Sequence, residues 1–227
     1  MATSGTTDFT LELLDVIEEA GERCGVEIRA GHQVRTARRS LNLLLAEWAN
    51  RGLNLWTLEK QEVPLVPGID TYVLPPDTID LLEAVIRTGT GSNQFDIILN
   101  RISASVYTTI PNKTADGRPY QMWMDRQAQA PKIVLWPVPD ASLPYLLVYW
   151  RLRRLQDAGT GLNTQDIPFR FLPALIAGLA YHMAMKFPEG VPRLAVLKAQ
   201  YDEAWGLAAD EDREKAPVRL VPRMYSI

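Results

Sequence analysis

Between Val63 and Asp77 the chain carries Pro64, Pro67, Gly68, Pro75 and Pro76 among alternating apolar residues. Proline has no amide to give to a ladder, so a segment this rich in it cannot supply central strands. It predicts short edge strands and turns, with Pro67-Gly68 between EVPLV and IDTYVL as a hairpin signal. Helical spacing runs up to this segment and resumes far beyond it, so a strand-rich middle has to be fitted between helical ends. That constraint points to an α+β fold. A helical domain of about four main helices is interrupted by an antiparallel β-sandwich or small barrel and followed by an extended C-terminal arm.

Phe9, Leu13, Val16, Ile17 and Ala20 recur at helical spacing after Asp8, and Gly25 suits a left-handed end, which predicts a helix from Thr10 to Cys24. In HQVRTARRSLNLLLAEWANRG a second helix places Val34, Ala37, Leu41, Leu44, Leu45 and Trp48 on one face, with Gly52 as its stop. Strand candidates begin at Leu81, Gln94, Tyr120, Lys132 and Leu143, while ISASVYTTIPNK reads as a helical turn or loop. The run from Phe169 to Phe187 is apolar on most sides, with Asp166 as a cap before Pro168, and so predicts a helix packed by several neighbours. Pro188 and Gly190 break it, and Pro192 opens a last helix with Leu194, Leu197, Tyr201, Ala204, Trp205 and Ala208 in register, ended by DEDREK. The implied organisation is a helical domain from residues 1–56 and 166–215, a β-rich insert over 57–165, and an arm over 216–227.

Composition excludes several classes. A chain of 227 residues that is 47% hydrophobic can bury a core without metal or disulfide staples. Cys24 stands alone, which removes an internal disulfide and any multi-cysteine zinc site. The longest uncharged apolar stretch, Phe171 to Met185, falls short of the roughly 18 residues of a membrane span, so no membrane partner is expected. MATSGTTDF has neither a basic nor an apolar leader region, and no secretion is expected. A formal charge of −3 disfavours a free-standing nucleic-acid binder, which concentrates positive charge to displace counterions.

Little in the chain suggests catalysis. His32 and His182 are the only histidines; one lies beside a helix start and the other inside the most apolar helix, and both read as structural. GxSxG, HExxH, GxxxxGK[ST] and GxGxxG are all missing, and GTGS at Gly89 to Ser92 reads as a hairpin turn. Glu18, Glu19 and Glu22 lie close together on helix one. They keep a polysaccharide (peptidoglycan) hydrolase open as an alternative, although carboxylates on one amphipathic helix are ordinarily its solvated face. No catalytic, metal-binding or cofactor-binding residue is therefore assigned.

The arginines and the C-terminus remain. Arg35, Arg38, Arg39 and Arg51 lie off the apolar stripe of helix two; they suit either phosphate contacts in a nucleic-acid-binding module or, the favoured reading, contacts to carboxylates on a neighbouring subunit. In the last strand, alternation sets Arg151 and Arg153 on one face and Arg154 on the other. The terminal segment carries Val218, Leu220, Val221, Met224, Tyr225 and Ile227, stiffened by Pro217 and Pro222, with Arg219 and Arg223 for charge complementarity. A monomer would hide such groups, so this arm is a candidate for strand addition or groove binding to a partner.

The stretch RTARRSLNLLLAEWANRGLNLWTLEKQEVPLVPG, Arg35 to Gly68, resembles the head-to-tail adaptor (connector) proteins of tailed bacteriophages, most closely the packaged-DNA stabilisation or tubular tail proteins of short-tailed phages. The motif is ARRxLN at Ala37 to Asn42, a few helical turns, RGLNLW at Arg51 to Trp56, and a strand opening with prolines. The resemblance implies a ring of about twelve identical subunits beneath the portal protein. It further implies contact with the next tail component, a nozzle or tail tube protein, and genomic DNA passing through the lumen without sequence-specific binding. The arm Pro217 to Ile227 would dock on the portal. The location implied is the head–tail interface of the virion, with assembly in the host cytoplasm, and no cofactor.

Overall fold

A computed structural model of the chain describes residues 5, 9, 11–51, 55–159 and 164–213. In chain order the elements are α1 (Leu13–Cys24), α2 (Gly31–Ala49), β1 (Leu58–Pro64), β2 (Thr71–Val73), β3 (Thr78–Thr88), β4 (Phe95–Ile98), β5 (Asn100–Arg101), α3 (Ala104–Thr109), β6 (Asp116–Gly117), β7 (Gln121–Asp125), β8 (Lys132–Trp136), β9 (Val138–Pro139), β10 (Leu146–Arg153), α4 (Leu172–Ala184) and α5 (Leu194–Glu211). They form two compact units: Met1–Trp56 with Gln156–Ile227, which is helical, and Thr57–Leu155, which is β-rich. The fold is mixed α+β. Gln156 to Gly159, expected in the insert, belong instead to the helical unit, where the amide of Ala158 donates to Asn42 Oδ1 at 2.9 Å.

In the helical unit, α1 begins at Leu13 rather than Thr10. The amide of Glu12 donates to the Asp15 carboxylate at 3.1 Å, so the first turn is capped from within. Asp8, which precedes the expected helix, lies outside the described residues. At the other end Gly25 takes φ 82°, and the amide of Val26 reaches the Gly21 carbonyl at 2.9 Å, closing the helix as expected. Helix α2 ends at Ala49; the expected stop, Gly52, is outside the described residues. A 3-10 turn over Phe169–Phe171 precedes α4, and another over Pro188–Arg193 holds Pro192 just before α5.

Every residue of α4 from Ala174 to Ala180 is buried. The small residues there let neighbours come close: a Cβ on Gly178 would stand 2.8 Å from the Tyr201 ring of α5 and 3.0 Å from Leu44 of α2. Trp48, fully buried, packs against Phe171 and Trp205 with ring centroids 5.7 and 4.8 Å away, and Trp56 joins Phe171 at 4.6 Å. Asp212, buried at the end of α5, accepts from the amide of Leu55 at 3.2 Å and is ion-paired with Arg170. The chain on both sides of the insert is thus tied into one helical core by rings and by a buried carboxylate.

The β-rich unit is a sandwich and not a closed barrel. One sheet has the order β1-β10-β3-β4 and the other β2-β8-β7-β5, with a small β6-β9 pair beside them. Buried cross-strand pairs line the core side of each sheet: Tyr149 opposite Ala84 and Leu147 opposite Ile86 in the first, Met122 opposite Leu135 and Met124 opposite Ile133 in the second. Pairing is antiparallel except between β5 and β7 and between β6 and β9, which are parallel. GTGS is a hairpin turn between β3 and β4, where Gly89 takes φ 72° and an added Cβ would fall 2.2 Å from the Asn93 carbonyl oxygen. The block after Ile102 forms the short helix α3.

The Pro67-Gly68 hairpin is corrected. A turn does form, with the amide of Ile69 on the Val66 carbonyl at 3.1 Å and Gly68 at φ 81°. The strands on either side join different sheets, β1 pairing with β10 and β2 with β8. Both are edge strands, as proline demands, and the turn is a corner between layers.

Arg151 follows Tyr149 on the inward face of β10 and is only 5% exposed. Its guanidinium donates to Glu59 and Asp77 at 2.6 Å each and to Thr78 Oγ1 at 3.1 Å. Burial opposes its charge, yet the two carboxylates outweigh burial and hold its pKa above the ordinary value. In turn the Arg151 hydrogen bond holds Asp77 below the usual carboxylate range. Arg153 shares Glu59, through Nε at 2.8 Å, so these two arginines lie on one side as alternation predicts.

Two outcomes are expected in chemical denaturation. Trp48→Ala destabilises by about 3–5 kcal/mol, as a fully buried ring is lost. Arg151→Lys costs about 2 kcal/mol, because an ammonium cannot bridge Glu59 and Asp77 together; an unchanged unfolding midpoint would show that the fork is dispensable.

Candidate functional site

The helical unit presents its chemistry on α2 and α5. At their contact the indole N–H of Trp48 donates to the Tyr201 hydroxyl at 2.8 Å, and that hydroxyl lies 3.3 Å from Glu47 Oε1. Glu47 also accepts from Arg51 Nε at 3.1 Å and faces His182 Nε2 at 3.3 Å. The Arg51 guanidinium carbon stands 4.8 Å from the ring centroids of both Tyr201 and Trp205. Burial works against the Glu47 charge, but Arg51, His182 and Tyr201 outweigh it and hold the carboxyl below its ordinary range. Tyr201 is 2% exposed, and burial pushes its phenol up to about 12.

These positions sort the four arginines expected at a subunit contact. Arg51 is tied to Glu47, Tyr201 and Trp205 of its own chain and is not a free surface cation. Arg35 and Arg39 are exposed and Arg38 is half-buried. Among the described residues Arg39 reaches only Thr36 Oγ1, at 3.3 Å, and Arg35 and Arg38 have no ion pair. Leu43, one turn past Arg39, is 60% exposed. Of the arm, Pro217 to Ile227 all lie outside the described residues.

The carboxylates of α1 lie on its solvent side. Glu18 and Glu22 are exposed on the helix surface, and Glu19 is held by Arg23 at 2.8 Å. His32 is exposed at the start of α2, and His182 is engaged by Glu47. No group of His, Cys, Asp or Glu among the described residues is arranged to hold a metal ion. Cys24 is buried, which pushes its thiol up and makes it a poor nucleophile. Among the described residues no helix is long and apolar enough to cross a membrane.

The Arg51–Trp56 motif therefore has a structural meaning: Arg51 caps the rings of α5 and Trp56 enters the aromatic core, its indole N–H on the Asp166 carbonyl at 3.2 Å. Comparison with known families agrees with a motif that specifies a fold. The profile of the SU10 adaptor protein family matches residues 11–221. The chain belongs to this family. No curated protein matches it at a significant level. The SU10 adaptor family is a phage head–tail adaptor family, and this adaptor has a structural role in a phage. Sequence reasoning missed the Glu47 and Tyr201 pair that organises the helical unit. The Glu47–Arg51 spacing of one helical turn was the available signal.

The adaptor's helical unit is expected to lose stability between about pH 10 and 12. The folded phenol of Tyr201 titrates above its unfolded counterpart, so its contribution is complete below the unfolded pKa and disappears as the folded pKa is passed, about 2–3 kcal/mol in all. Thermal unfolding followed against pH should show this loss in the wild type and a shallower one in Tyr201→Phe.

Proposed function

We propose that this adaptor is a structural, non-catalytic ring component of the virion, assembled from about twelve copies beneath the portal. There it extends the DNA channel, helps retain the packaged genome and offers a platform to the next tail component, a nozzle or tail tube protein. The family match across residues 11–221 carries this reading. The helical unit would form the ring, and residues 216–227 would dock on the portal through Val218, Leu220, Val221, Met224, Tyr225 and Ile227, with Arg219 and Arg223 beside them. A formal charge of −3 suits a lumen through which DNA slides, since few phosphate contacts hold it.

Assembly then follows from valency. One arm on one portal subunit binds weakly, but the portal's symmetry aligns neighbours, so each added copy meets both the portal and the copy beside it. The α1 carboxylates form a solvated helix face, with Glu18 and Glu22 exposed and Glu19 paired with Arg23, which supports a role without hydrolysis.

Native mass spectrometry of the full chain with a portal ring tests the reading. The expected result is a small species alone and a saturating multiple on the portal, lost on deletion of residues 216–227 while the truncated protein stays folded. Portal association at no salt concentration would overturn it, and undiminished association of the truncated chain would remove the arm as the anchor.

A further inference from the structure

The helical unit carries a knob on one face and a groove on another, with complementary charge. On α2, Arg35, Arg39 and Leu43 follow one another at four-residue spacing along an exposed stripe. Leu43 is the knob, and neither arginine has an ion pair among the described residues. The groove, about 420 Å³, runs between α1 and α5 over α4. Its floor holds the small residues Ala177 and Ala204, and its borders carry Arg23 from α1 and Glu203 and Leu207 from α5. Leu207 is 69% exposed, more than any other large hydrophobic residue of α5. Glu203 is exposed and has no ion pair among the described residues, whereas Arg23 is paired with Glu19.

The two features point apart. Gly178 and His182 of α4 face α2, as the approach to Leu44 and the contact with Glu47 show. Pro173 and Ala177 line the groove, and each lies five residues earlier, about 140° around the helix axis. The Leu43 face of α2 looks further outward still, since Leu41, Leu44 and Trp48 occupy the buried side. Two different surfaces facing different ways cannot satisfy each other in a two-fold dimer; they join copies head to tail, the arrangement that closes into a ring.

We propose that the occupant of this groove is α2 of a second copy. Leu43 seats beside Leu207 over Ala177 and Ala204, and Arg39 meets Glu203. Arg39 precedes Leu43 by one helical turn, as Glu203 precedes Leu207, so both pairs form together only if the two helices run in the same direction. The register thereby fixes the direction of the inserted helix as well as its partner. On the opposite border α2 needs no carboxylate, because Glu19 already neutralises Arg23. This rests on the ring reading above and gives it a specific subunit contact, one that leaves Arg51 to its contacts with Glu47, Tyr201 and Trp205 of its own chain.

A cysteine pair tests the contact. Full-length protein carrying Leu43→Cys and Leu207→Cys is oxidised with copper phenanthroline, in concentrated solution and on the portal; the native Cys24 is buried and stays silent. The expected product is a ladder of covalent dimers, trimers and higher multimers, with neither single variant giving a ladder. Adding Arg39→Glu should reduce the ladder about tenfold, and adding Glu203→Arg to that chain should restore it. Dimers from Leu43→Cys alone, or a charge reversal without rescue, would overturn the proposal. So would groove protection from thiol labelling that vanishes on deletion of residues 216–227, since the arm would then be the occupant. If wild-type protein loads on the portal and the double variant still gives no ladder there, this contact is rejected and the adaptor reading stands. If wild-type protein does not load, the adaptor reading falls, and the ladder in solution decides the contact by itself.

Discussion

The helical unit depends on the burial of one side chain, Trp48. Its ring has no exposed surface, and its indole N–H finds the Tyr201 hydroxyl 153 residues further along the chain. An indole buried without that partner would cost the desolvation of a donor, so the packing of α2 depends on α5. Between them in sequence lie the whole β-rich insert and α4. The helical core therefore closes across a long sequence separation, and such contacts form late because the loop entropy must be met before they contribute.

The sequence made the elements of this fold legible wherever periodicity is a consequence of a single buried face. Leu41, Leu44, Leu45 and Trp48 could point only inward, and the all-round apolar run of α4 announced neighbours on several sides. Prolines likewise confined β1 and β2 to edges. What could not be read was which edge. Pro67 and Gly68 fix a local turn, but pairing is decided by which layer accepts each strand, and β1 and β2 find partners in different sheets. The start of α1 shifted for a related reason, because Asp15 caps the helix from inside its own first turn.

The polar contacts were less legible than the core. Arg51 falls off the apolar stripe of α2, yet its guanidinium covers two rings of α5, because a long side chain can leave its helix face and lie along apolar surface. Arg35 and Arg39 also lie off that stripe and have no ion pair among the described residues. Only tertiary packing separates them. Arg151 shows the same limit: alternation gave its direction, but Glu59 and Asp77, distant in sequence, are what make its burial tolerable.

The β-rich unit begins with β1 and ends with β10, and these two strands are hydrogen-bonded neighbours with Leu58 opposite Leu152. Its first and last residues thus emerge side by side, about one strand spacing apart. A module attached at two adjacent points places little constraint on its host. The sandwich can lengthen its loops, exchange strands or be replaced by a different module across related chains while the helices keep one geometry. Divergence should then concentrate in the insert, leaving the helices as the part by which distant members of the family are recognised.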